Sequence, residues 1–162
     1  MSKQITIRKI KPGDNKEICR IIRTVLEEYG GKIEGTAYYD YDTEHMYEAY
    51  QKDRAVYYVA EVDGSLAGGC GIQHLADTEE NIAELQKLYI LKEYRGLGLG
   101  KKLVDQCINF AKEQGYKGIY LETFENMSEA QGLYRKFGFN RINYRFGGTG
   151  HFSCPVWMYR EL

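Results

Sequence analysis

The chain has 162 residues, 43% of them apolar and 28% charged, with a net charge of −1. That length fits one domain, residues 1–162, with enough side chains to bury a core. The near-neutral charge removes the basic field that nucleic-acid binding needs, and no apolar run approaches the roughly 18 residues of a membrane span. The opening "MSKQITIRKI" lacks the apolar core of a signal peptide. Cys19, Cys70, Cys107 and Cys154 form no CxxC pair. Both features lead to the expectation of a cytoplasmic protein with free thiols and no metal or disulfide.

In chain order, "QITIRKI" spaces Ile5 and Ile7 as a first strand. Asp14 opens "DNKE", which predicts a capping box. Behind it Ile18, Ile21, Ile22, Val25 and Leu26 form the stripe of an amphipathic helix. "GTAYYDYDTEHMYEAY" carries many of the 15 tyrosines and predicts one short helix near 43–51. "AVYYVAEV" and "LAGGCGIQHL", split by Asp63-Gly64, predict a hairpin. "IAELQKLYIL" reads as a strand. Strict alternation there puts Glu84, Gln86, Leu88 and Ile90 on one face and Leu85, Lys87 and Tyr89 on the other. Leu99, Leu103, Val104, Cys107, Ile108 and Ala111 stripe a helix closing near Gly115. "YKGIYLET" is a strand. "NMSEAQGLYRKF" is a helix with Asn126 as N-cap, Glu129 completing a second capping box and Gly138 closing it. Two last strands, near Phe139–Tyr144 and Pro155–Glu161, flank a glycine-rich loop. The order predicts an α/β (α+β) chain, a mixed sheet with helices on its faces.

Gly96, Gly98 and Gly100 sit where a strand ends and a helix begins. One reading is a tight turn. The other is a nest of backbone N–H groups for phosphate, since a helix start offers unpaired donors and a positive dipole end. The spacing matches neither a Walker loop nor a Rossmann turn.

Arg95-Gly96-Leu97-Gly98-Leu99-Gly100 resembles the Q/R-x-x-G-x-G/A signature of the GNAT superfamily of acetyl-CoA-dependent N-acyltransferases. "AELQKLYIL" resembles that family's fourth strand. "NMSEAQGLYRKFGF" resembles a later element of it, through Ala130, Leu133, Tyr134, Lys136, Gly138 and Phe139, with Asn126 at its start. The likeness is strong from about Val56 to Phe139 and weaker at both ends. It implies a central, mixed but mostly antiparallel, seven-stranded sheet with about four helices. It also implies acetyl transfer from acetyl-CoA to an amine of a small molecule, peptide or protein, by direct attack in a ternary complex. No metal, nucleic acid or membrane partner is implied, and a homodimer is compatible. The rival is a non-catalytic regulatory module that keeps the acyl-CoA site.

By the same resemblance, the N–H groups of Gly96, Gly98, Leu99, Gly100 and Lys101 receive the pyrophosphate. The pantetheine arm runs along Leu88, Tyr89 and Ile90, with an oxyanion donor near Tyr89. Arg95 either reaches a phosphate or is a solvated arginine. Asn126 contacts the cosubstrate, caps its helix, or does both. Tyr134 matches the general acid; the other reading is a core tyrosine. Glu84, eleven positions before Arg95, matches a base acting directly or through water; the other reading is a solvated strand-end carboxylate. His74 and His151 are further base candidates. The two tyrosine-rich segments would wall the acceptor pocket with Tyr38, Tyr39, Tyr41, Tyr144, Phe146 and His151. With Glu34, Asp40 and Asp42 they would suit a cationic amine.

Overall fold

The computed structural model describes residues 2–162; Met1 lies outside the described residues. Strands β1 (Ile5–Lys9), β2 (Val56–Val62), β3 (Ser65–His74), β4 (Ile82–Ile90), β5 (Gly118–Thr123), β6 (Asn140–Ile142) and β7 (Val156–Glu161) form one sheet, in the order β1-β2-β3-β4-β5-β7-β6. Every neighbouring pair is antiparallel except β4 and β5. The helices are α1 (Asn15–Glu28), the single turn α2 (Met46–Ala49), α3 (Leu99–Glu113) and α4 (Ser128–Lys136). This is the seven-stranded mixed sheet and four helices that the sequence leads one to expect.

Two apolar layers hold it. Ile18, Ile21, Ile22, Val25 and Leu26 of α1 bury against Tyr57 and Val59 on one face, each fully buried aliphatic side chain contributing about 1.5–3 kcal/mol. The α3 stripe from Leu99 to Ala111 buries against Val56, Tyr58, Ala60 and Leu85 on the other, joined by Tyr134 and Phe139. At the β2–β3 hairpin, Asp63 and Gly64 both take positive φ (50° and 84°), as a type I′ turn requires. Among the described residues, no helix is long and apolar enough to cross a membrane.

Neither expected capping box forms. The Asp14 carboxylate accepts from its own turn's Lys11 N–H (2.7 Å) and from the Arg8 guanidinium (2.8 Å). It therefore ties β1 to the turn, and α1 simply continues from the tight turn at Pro12–Asp14. Asn126 lies two residues ahead of α4, and its amide donates to the Tyr29 carbonyl (3.1 Å). The short helix expected in the tyrosine-rich segment is a 3-10 turn, Tyr41–Glu44, followed by α2.

Candidate active site

Strand β4 is where this sheet breaks its own rules. Gly69 pairs with Tyr89 and Gly71 with Gln86, so Lys87 and Leu88 together oppose the single residue Cys70. Lys87 takes φ 52°, a left-handed conformation costing roughly 1 kcal/mol for a side chain with a Cβ. Tertiary contacts hold it there. The Tyr57 hydroxyl donates to the Lys87 carbonyl (2.9 Å), and the Lys87 ammonium reaches Asp40 (3.3 Å). Gly69 makes room for Tyr57, because a Cβ there would lie 2.4 Å from the ring.

The bulge corrects the alternation expected from sequence. Before it, Glu84 and Gln86 face α1, where Gln86 accepts from Tyr50 (2.5 Å). After it, Tyr89 and Leu91 take that face, while Leu88 and Ile90 join Leu85 against α3. One inserted residue inverts every side chain that follows.

The strands also part. The parallel ladder of β4 with β5 ends at Glu84–Tyr120. From Leu85 onward the β5 side of β4 is an unpaired edge. Leu91 N–H donates to Ala67 (2.9 Å), on the β3 side. Antiparallel alternation then turns the Tyr89 backbone to β3, and those of Leu88 and Ile90 into the gap. Arg95 Nε accordingly meets the Ile90 carbonyl there (3.0 Å). The backbone groups near Tyr89 that open to the gap are therefore those of Leu88 and Ile90.

At one end of the gap lies a cleft of about 260 Å³. Its lining includes Leu88, Tyr89, Ile90, Arg95, Gly96, Gly98, Leu99, Gly100 and Lys101, with Met127, Glu129, Ala130 and Leu133 opposite. Gly96 and Gly98 have φ of 83° and 79°, and a Cβ on either would meet nothing within 4 Å. The first helical bond of α3 runs from Lys102 N–H to the Gly98 carbonyl (3.2 Å). The N–H groups of Leu99, Gly100 and Lys101 thus precede the helix ladder and remain free to bind an anion.

At the other end is a small cavity of about 40 Å³, reached by Glu84, Leu88, Tyr89, Glu122, Tyr134, His151 and Cys154. Glu84 is 3% exposed. One carboxylate oxygen accepts from Gln86 (2.6 Å). Burial first, and the nearby Glu122 charge, push its carboxyl up to about 7 against the opposing pull of Gln86, His151 and Lys87. Tyr134 is 6% exposed and packs edge-on to Phe139. Burial lifts its phenol well above the ordinary value, so it stays protonated. Burial likewise pushes the Cys154 thiol up to about 12.

Polar atoms of Glu84, Glu122 and His151 lie within 4.8 Å of one another. As a cation site the trio is poor. Arg145 already sits on Glu122 (3.3 Å), and His151 Nε2 is 2.7 Å from Asp40. Asp40 is half-buried, and the desolvation raises its carboxyl, but the bond to His151 and the Lys87 charge outweigh this and hold it below the ordinary range.

Known proteins share this fold. The model of the acetyltransferase (GNAT) family matches residues 20–139. The chain belongs to the GNAT acetyltransferase family. It is 41% identical over 157 residues to the uncharacterized N-acetyltransferase YjgM of Escherichia coli K12, covering 96% of this chain and 94% of that one. An acetyltransferase of the GNAT family from Staphylococcus aureus Mu50 superposes with a TM-score of 0.85 at 26% identity, covering 98% and 99% of the two chains. The structure of yncA from Salmonella typhimurium, with its cofactor acetyl-CoA, has the same fold, with a TM-score of 0.75 at 20% identity and 98% and 94% coverage.

Within this GNAT fold the expected site residues separate. Those of β4 and the glycine loop line one cleft, and Glu84, Tyr134 and His151 share the adjoining cavity. Glu84 is buried, so it is no solvated strand-end carboxylate. Arg95 is neither solvated nor free: its guanidinium grips Glu28 through two bonds (2.6 and 2.8 Å) and lies over Tyr29. The Asn126 amide is turned to Tyr29 and lines neither space. His74 bonds the Leu75 carbonyl, away from the cavity. Tyr38 bonds Glu27 on the surface, and Tyr39, Tyr41 and Tyr144 are exposed. Phe146 packs against Tyr120 and Tyr159. Glu122 escaped sequence reasoning. Its signal was a carboxylate inside the otherwise apolar run "GIYLET".

Proposed function

We propose that this enzyme moves an acetyl group from acetyl-CoA to a primary amine by direct attack within a ternary complex. One observation carries the reading: past the fork at Glu84–Tyr120 two neighbouring spaces share Leu88, Tyr89 and Met127 in their walls, one with free helix-start N–H groups and the other with a buried carboxyl and phenol. Acetyl-CoA in the yncA structure of the same fold supports the choice of donor.

The N–H groups of Gly96, Gly98 and Leu99 to Lys101 receive the pyrophosphate. The gap-facing backbone of Leu88 and Ile90 takes the pantetheine arm as a missing strand would, and an N–H of this edge stabilises the oxyanion. A carboxyl titrating near 7 is matched to taking the amine proton at neutral pH. Glu84 accepts that proton as the nitrogen attacks the thioester carbonyl. The C–S bond then breaks, and Tyr134 gives its proton to the departing sulfur. Arg95 braces the loop through Glu28. Both catalytic groups reach the cavity, which weighs against a non-catalytic binding module.

The acceptor enters between two loops. Ile33, Tyr39 and Tyr41 on one, with Tyr144 and Phe152 on the other, are exposed large apolar side chains. The loops meet through His151–Asp40 and through Ser153 Oγ–H on the Glu34 carbonyl (2.6 Å). With four free cysteines, we place the protein in the reducing cytoplasm, as one metal-free domain. Turnover of acetyl-CoA across a library of amines, with thermal shift by acetyl-CoA, tests the proposal. Binding without turnover of any amine would leave only the module.

A further inference from the structure

Glu122 has no part in the proton transfers above, yet its side chain is 1% exposed. Donors from two elements satisfy it. On Oε2 sit the Tyr120 hydroxyl (2.6 Å) and Arg145 Nε (3.3 Å). On Oε1 sits the Thr149 hydroxyl. Arg145 and Thr149 both belong to the loop joining β6 and β7, which also carries His151. A buried carboxylate needs such compensation, so the loop and the charge hold each other in place. Glu122 reaches the small cavity and not the cleft beside the glycine loop.

We propose that Glu122 is a positioning residue for the acceptor: it ties the β6–β7 loop over the cavity and keeps a fixed negative charge beside Glu84. The catalytic half of this inference rests on Glu84 being the base. The groups facing Glu84 are Gln86 and Lys87 from β4, Tyr50 at the end of α2, Tyr120 and Glu122 from β5, and His151 and Cys154 from the loop. Gln86, His151 and Lys87 all favour the Glu84 carboxylate, and Glu122 opposes it. Asp40 pairs with both His151 and Lys87, which tempers their pull.

The test is a carboxyl titration by NMR on protein carrying ¹³C-glutamate, beside steady-state kinetics. Glu122→Gln should lower the Glu84 midpoint by at least about half a pH unit, because a like charge is removed. Arg145→Gln, at a half-exposed position, should raise it by unmasking that charge. Glu122→Gln should also raise KM for the amine several-fold more than KM for acetyl-CoA, and Glu122→Asp should restore the midpoint. A purely structural Glu122 would leave the midpoint in place in both variants, and that result would overturn the proposal. The titration needs no turnover. If Glu84→Gln kept full activity the base reading would fall, while the coupling of Glu122 to Glu84 would stand or fall on the NMR midpoint alone.

Discussion

Glu84 and Tyr120 form the last rung between β4 and β5. Behind that rung the sheet is closed and apolar; ahead of it the strands separate and the carboxylate meets the cavity. The same residue thus ends a ladder and lines the cavity. Its burial in this position, rather than its residue type, lifts its carboxyl to about 7.

Glu84→Gln should lower kcat/KM by about 10² to 10⁴ at neutral pH. In the parent enzyme kcat/KM should climb as pH rises through about 7, because the base form is the ionised one. A pH profile of both proteins checks this. A parental rate in the variant would give the proton to water or to His151.

The same substitution should stabilise the protein. Glu84's folded value of about 7 lies above its ordinary 4.5. Between those values the folded protein holds a proton that the unfolded chain has released. Stability therefore falls as pH rises through that window. Glu84→Gln removes the penalty, so Tm at pH 8 should rise, by the equivalent of ~3 kcal/mol, with no gain at pH 4. A lower Tm at pH 8 would contradict the raised carboxyl.

Tyr134→Phe deletes one oxygen and keeps the ring on Phe139. Acetyl-CoA should still bind. The loss should appear in kcat, by about 10²-fold, with KM for acetyl-CoA little changed, the pattern of an interaction made mainly in the transition state. An unchanged single-turnover rate would make Tyr134 a core residue only.

Gly98→Asp should abolish acetyl-CoA binding by calorimetry while the fold survives. A Cβ at Gly98 meets nothing within 4 Å, and Asp tolerates left-handed backbone better than most residues. Its charge would occupy the anion's place. Gly98→Asn, isosteric but neutral, should weaken binding less. Equal affinity in all three proteins would mean the glycine loop holds no phosphate.

Glu28→Ala separates two roles for Arg95. If Arg95 is a brace, releasing it from Glu28 (2.6 Å) loosens the loop and raises Kd for acetyl-CoA several-fold. If Arg95 binds phosphate directly, the released guanidinium is freer to do so and Kd falls. Calorimetry on this single variant reads the sign.

The local patterns in the sequence determined much of this protein. The Ile18–Leu26 stripe, the Asp63-Gly64 turn, the glycine loop before α3 and the apolar runs of β2 to β5 each depend on neighbours a few residues away, and each appears where the pattern puts it. Glu84 and Tyr134, singled out by motif position, line one cavity. The capping boxes read at Asp14 and Asn126 do not form, because both side chains find partners on other elements, Arg8 and Tyr29. The Lys87 bulge needs the Tyr57 hydroxyl from β2 and the gap left by Gly69 in β3, so no alternation rule within β4 could announce it. Arg95's fate was settled by Glu28, at the far end of α1. Periodicity says which face of an element is apolar. Only the packed fold decides which carboxylates lose water together, and that is why Glu84, Glu122 and His151, far apart in the chain, come together as one cluster.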